Sequence, residues 1–90
     1  MASIIHSYTG EATPFDKPRL HASIITACHS VRLAEGVAHD TAARICLAIE
    51  EWLTDKSEVT SSDIRRKTSE VLAIICPEAG YLYQHQHTIL

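Results

Sequence analysis

The sequence predicts a mainly α-helical fold, a small four-helix bundle capped by a short N-terminal β-hairpin, with residues 1–90 forming a single domain. Three observations predict it. Apolar residues recur at three- and four-residue spacing through four segments of helical length. Pro18 and Pro77 stand where helices begin, a position that tolerates the missing N–H. The stretch before Pro14 is instead built of β-formers around one glycine.

Ile4, Ile5, Tyr8 and Thr9 lead to Gly10, and Glu11 to Thr13 follow, which reads as a small hairpin or cap turning at the glycine. Asp16 is a good N-cap for a first helix running from Lys17 to about Arg32, whose buried stripe is Leu20, Ile24, Ala27 or Cys28, and Val31. After Glu35-Gly36, the series Ala38, Ala42, Ile45, Ile49 and Trp52 marks a second helix ending near Thr54, with Arg44, Glu50 and Glu51 left to solvent. The polar stretch Thr54 to Thr60 reads as a loop. Thr60 or Ser61 then caps a third helix with Asp63 at its positive end and a stripe of Ile64, Val71, Leu72 and Ile75. Pro77 breaks it and opens a fourth, from about Glu78 onward, burying Ala79, Leu82 and Tyr83. None of the four segments can hide its stripe alone, so they must pack on one another.

Composition narrows the function. Apolar residues make up 46% and charged residues 21%, as in an ordinary globular domain. A net charge of -3 with no basic tract disfavours bulk binding to nucleic acid or to an anionic membrane. No run approaches the roughly 18 apolar residues of a membrane span, and Met1 to Ile5 has no basic leader, so neither secretion nor insertion is expected. Cys28, Cys46 and Cys76 are odd in number, far apart and set among apolar neighbours; a reducing, cytoplasmic setting fits them best.

Gly10, then Pro14-Phe15-Asp16, then Arg19-Leu20 and Ser23-Ile24 are followed after the second helix by Val59-Thr60-Ser61-Ser62-Asp63-Ile64, and later by Leu72, Pro77, Ala79 and Tyr83. In order and spacing this set resembles the ATP-cone family, over nearly the whole chain. The resemblance implies a helical bundle under a short β-structure that binds ATP or dATP, with Mg2+ accompanying the triphosphate. Such modules stand at the N-terminus of ribonucleotide reductase large subunits and in the bacterial repressor of reductase genes. In them the nucleotide changes oligomeric state and no bond is made or broken, so no enzyme activity is expected. The implied partners are adenine nucleotide and either further copies of the chain or a ribonucleotide-reductase-like protein.

Carried over by position, the implied pocket lies between the hairpin, the start of the first helix and the start of the third. Its residues are Ser7, Tyr8 and Thr13 on the hairpin, Asp16 and Arg19 at the first helix, and Ser61 and Arg65 at the third. Ser7 and Tyr8 occupy positions where the family carries a basic pair that meets phosphate. Hydrogen bonds to a charged group are worth about 1.5–3 kcal/mol each, so a second reading stands beside the first: a degenerate cone without nucleotide, acting as an interaction or oligomerisation module. Under the first reading Lys17, Arg19, Arg65 and Arg66 converge on phosphate from the helix starts. A third alternative makes the chain a fragment or companion of a larger reductase-like or kinase-like protein.

Other motifs have plainer accounts. Arg65-Arg66-Lys67 can be a solvated helix face, and Tyr8 can cover the bundle rather than stack on a base. His85-Gln86-His87 does not bring two imidazoles to one side of a helix, so no metal is expected there. No nucleophile elbow, Gly-rich phosphate loop or carboxylate pair occurs at a recognisable spacing.

Overall fold

A computed structural model describes residues 3–5 and 10–85. Over these the chain is mainly helical, with four helices and three very short strands. Their order is β1 (Ser3–Ile5), β2 (Ala12–Pro14), α1 (Lys17–Ser30), α2 (Glu35–Leu53), β3 (Glu58–Thr60), α3 (Ser61–Ile75) and α4 (Pro77–His85).

Local chemistry sets the helix ends. Asp16 caps α1, its Oδ1 accepting the Arg19 N–H at 3.1 Å, and Pro18 lies in the first turn. At the other end the Leu33 N–H reaches the Cys28 carbonyl at 3.1 Å and the Arg32 N–H reaches that of His29 at 3.0 Å. This is a Schellman closure, and it puts Arg32 at φ +63°, the left-handed position usually held by glycine. α2 begins at Glu35, so Gly36 falls inside its first turn instead of before it. α3 starts with a reciprocal capping box: the Asp63 N–H donates to Thr60 Oγ1 at 3.0 Å and the Thr60 N–H to Asp63 Oδ2 at 3.2 Å. Thr60, not Ser61, is therefore the cap. A single residue, Cys76, separates α3 from α4, whose first residue is Pro77.

One segment read as loop is partly strand. Glu58–Thr60 pairs in parallel with β1, opposite Ser3 to Ile5, while β2 pairs antiparallel on the other side, giving the order β2-β1-β3. A three-residue strand is too short to show a period, and only β-branched Val59 and Thr60 hinted at it. Ile4, Thr13 and Val59 lie opposite one another and so share a face, on which Ile4 and Val59 are buried and Thr13 is half-buried. That face turns toward Leu20 and Ile64 in the core.

The helices pack as neighbours α1 with α2 and α4, and α3 with α2 and α4. Their core is Leu20, Ile24, Ala27, Cys28, Ala38, Ala42, Ile45, Cys46, Ile49, Leu53, Leu72, Ala79 and Tyr83. The expected stripes are corrected at their edges: Val31, Trp52, Val71 and Leu82 are only partly covered, and Ile75 is 48% exposed. Each lies at a stripe's margin or a helix end, where the neighbouring helix no longer covers it. Trp52 instead lies under the Lys56 ammonium, 4.9 Å from its ring centroid.

α4 crosses α3 closely at Gly80, where an added Cβ would sit 2.7 Å from backbone atoms of Ala73. Gly80→Ala gains about 1 kcal/mol of helix propensity, but overpacking against fixed backbone costs about 1–3 kcal/mol. The clash should win, and thermal melts should show a fall of several degrees; a stabilised variant would mean that the helices stand farther apart. The capping box generates a second expectation. The Thr60 N–H, then the Thr60 hydroxyl, and more weakly Arg66 hold the Asp63 carboxyl below its ordinary pKa, against a small opposing effect of burial. A depressed folded pKa contributes stability that is complete above the unfolded value of about 3.9 and is lost as pH falls through the folded one. Asp63→Asn should therefore be the less stable protein at neutral pH, with the gap closing in melts below about pH 4.

Candidate functional site

The seven expected site residues divide into groups. Ser7 and Tyr8 lie outside the described residues. Thr13 faces inward from the sheet toward the helices. Asp16 and Arg19 form the α1 cap, one carboxylate oxygen being taken by the Arg19 N–H. Ser61 opens α3, and Arg65 follows one turn later. Because β2 runs against β1 and β3 runs with it, Pro14 and Thr60 leave opposite ends of β1, at Ser3 and Ile5 respectively. The strand spacing and rise set Pro14 and Thr60 about 12 Å apart, at diagonal corners of one small sheet.

Where side chains of α1, α3 and α4 meet, the core contains a cluster of polar groups. Ser23 on α1 donates its hydroxyl to the Leu20 carbonyl at 2.8 Å, and its oxygen lies 3.0 Å from the Tyr83 hydroxyl on α4. Either hydroxyl can donate across this contact. From α3, Thr68 and Arg65 approach the same phenol. Burial raises the Tyr83 pKa, and the Ser23 contact, the Arg65 charge and the Thr68 hydroxyl each pull it back. Thr68 is fully buried. Arg65 Nε, shielded from solvent, has no hydrogen-bond partner among the described residues, whereas the equally shielded Thr68 Oγ1 has the Tyr83 phenol as its neighbour without a well-formed hydrogen bond.

The structure thus brings Arg65 into the core side of the site. Arg19 stands one turn before Ser23 on α1 and is exposed, whereas Arg65 of α3 is half-buried and close enough to act on the Tyr83 phenol. The wider convergence of cations does not form. Lys17 pairs with Glu50 of α2 at 3.1 Å, and Arg66 pairs with Asp63 at 3.4 Å within α3. Beside the α1 start, Phe15, Glu50, Leu53 and Thr54 line a cleft of about 240 Å³.

Ser23, Thr68 and the Tyr83 hydroxyl were not singled out as site residues, although a signal existed. Thr68 lies midway between Ile64 and Leu72 at four-residue spacing, and Ser23 adjoins Ile24 in the α1 stripe. A hydroxyl on an apolar stripe must find a partner or remain unsatisfied.

Elsewhere, burial raises the thiol pKa values of Cys28 and Cys46, with Cys76 adding to the first and Lys17 and Glu50 acting in opposite directions on the second. The His85 ring rests against Tyr81 with centroids 4.4 Å apart; Gln86 and His87 are outside the described residues. Among the described residues no group of three His, Cys, Asp or Glu could hold a metal, and no helix is long and apolar enough to cross a membrane.

Compared with known proteins, the chain matches no family model, no curated protein and no solved structure.

The Thr68 hydroxyl yields a direct expectation. Replacing a buried hydroxyl that lacks a well-formed hydrogen bond by a methyl of the same shape removes a desolvation cost of about 1 kcal/mol. Thr68→Val should raise the melting temperature of the ligand-free protein by several degrees, at about 4–8 °C per kcal/mol for this size. A loss of stability would mean that the contact with the Tyr83 phenol outweighs that cost.

Proposed function

We propose that the chain is an adenine-nucleotide-binding regulatory module of the ATP-cone type, a four-helix bundle under a β-hairpin cap that holds ATP or dATP without reacting with it. The observation that carries this reading is Arg65 Nε on α3, a buried donor with no hydrogen-bond partner among the described residues. A shielded guanidinium nitrogen without an acceptor is costly, and a phosphate oxygen is the acceptor it matches best. The Thr68 hydroxyl, nearly one turn on, can donate to the same oxyanion.

The remaining residues suit that role. Thr13 faces the helices from the sheet, and Ser61 stands at the positive end of α3. Arg19 lies on the face of α1 that leads to Ser23, and Ser23 touches Tyr83. Mg2+ would enter bound to the triphosphate and would need no metal site of the protein's own. A ligand held between sheet, α1 and α3 would favour whichever arrangement of these elements binds it better, and so bias association with a partner. The buried thiols suit a reducing cytoplasm.

The second reading, a bundle that associates without nucleotide, draws on Ser7 and Tyr8 in place of a basic pair. Thermal shift and calorimetric titration with ATP, dATP, ADP and GTP in Mg2+ separate the two. Under the first, adenine nucleotide gives a saturable stabilisation, about 2.7 kcal/mol at a hundredfold excess over Kd. Arg65→Ala should weaken binding about ten- to a hundredfold, the worth of a charged hydrogen bond. Thr68→Val should also weaken it while leaving the free protein at least as stable. No shift at millimolar nucleotide, or unchanged affinity in Arg65→Ala, would sink the nucleotide reading.

A further inference from the structure

We propose that the chain forms a two-fold dimer through the open cleft between the turn that ends α1 and the first turn of α4. This surface is distinct from the nucleotide site, and the proposal does not rest on nucleotide binding.

The cleft measures about 640 Å³, with Val31, Pro77 and Leu82 as its apolar lining and Arg32 and Glu78 as its charged members. Tyr81, one turn into α4 and also in its lining, is 66% exposed, with the His85 ring beside it. An exposed aromatic ring on a concave surface with apolar lining marks a place where another molecule sits.

The charges favour a second copy of the chain as that molecule. Arg32 and Glu78 are exposed and opposite in sign, and neither forms an ion pair among the described residues. In a two-fold interface the same patch meets itself, so a residue contacting another across the axis is contacted in return. A patch carrying one cation and one anion is complementary to its own rotated copy: Arg32 of each protomer faces Glu78 of the other. The pairs flank an apolar centre in which each Tyr81 enters the other copy's cleft, an exposed aromatic serving as the anchor.

Arg32 carries a second sign of this use. It occupies the left-handed position of the Schellman closure at φ +63°, where a side chain is strained and glycine is favoured. A long cation held there at a local cost, at the edge of an apolar cleft, points to a contact made outside its own chain.

Sedimentation velocity without nucleotide, over about 10 µM to 1 mM, tests the proposal, since weak specific interfaces fall in this range. The wild type should show a concentration-dependent dimer. Arg32→Glu and Glu78→Arg should each weaken association at least about tenfold through like-charge contacts, and an equimolar mixture of the two variants should restore it, because both cross-axis pairs become attractive again. Tyr81→Ser should weaken association in the same way. Melting curves of each variant establish that it is folded. A wild type that stays monomeric at the highest concentration, a mixture that fails to restore the dimer, or a dimer indifferent to all three substitutions would each overturn it. A monomeric protein that still binds ATP would remove the dimer and leave the nucleotide reading intact.

Discussion

The contact between the Tyr83 phenol and the Ser23 hydroxyl is the constraint around which the helices are arranged. It joins α4 to α1 through the core, where the Ser23 hydroxyl also reaches the Leu20 carbonyl. Apolar stripes alone leave neighbouring helices free to slide by a fraction of a turn at little cost, whereas a buried hydroxyl pair specifies one register. From α3, Thr68 and Arg65 approach the same phenol without completing the network. A partly satisfied polar cluster is poorer for stability than a plain apolar one. Its presence among α1, α3 and α4 is why this part of the core is proposed as a site as well as a support.

The small sheet does for the helix starts what Tyr83 does for the helix bodies. Central β1 carries β2 on one edge and β3 on the other; β3 ends in Thr60, the α3 cap, and β2 ends two residues before Asp16, the α1 cap. The last residues of these two strands stand at opposite corners of a single layer, with half-buried Thr13 facing inward. α4 is the element through which this region and the outer surface communicate. Tyr83 points into the core, and Tyr81, two residues away on the same helix, points out beside the apolar cleft. A change in how Arg65 engages the phenol would act on a helix whose outer face is proposed to meet another copy.

Much of the helical plan was legible because it rests on local chemistry. Asp16, Pro18, the Thr60 cap with Asp63, and Pro77 are written in short segments, and the stripes through Ile24, Ile45, Ile49 and Leu72 follow the helical period. β3 was hidden because its pairing with β1 joins residues more than fifty positions apart, and three residues show no period of their own. The Schellman closure was hidden because Arg32 stands where a glycine would have announced it. At the site, Arg65 was singled out by resemblance, but its unpartnered nitrogen is a property of packing. Ser23, quoted only for the resemblance, and Thr68 were not among the expected site residues, because a hydroxyl on an apolar stripe declares no role until its partners are known. The pairing of Lys17 with Glu50 is likewise a three-dimensional fact, and it withdraws one of the cations that the sequence suggested for phosphate.

The central claim is that the shielded Arg65 nitrogen waits for an oxyanion. The Nε–H resonance of Arg65, assigned in a 15N-labelled sample and followed by NMR as ATP is added, addresses it most directly. The account predicts that this signal moves downfield and exchanges more slowly with water as the nucleotide saturates, together with amides near Thr13 and Ser61. An Arg65 signal that stays in place while other resonances respond, or no response anywhere at millimolar ATP, would contradict it.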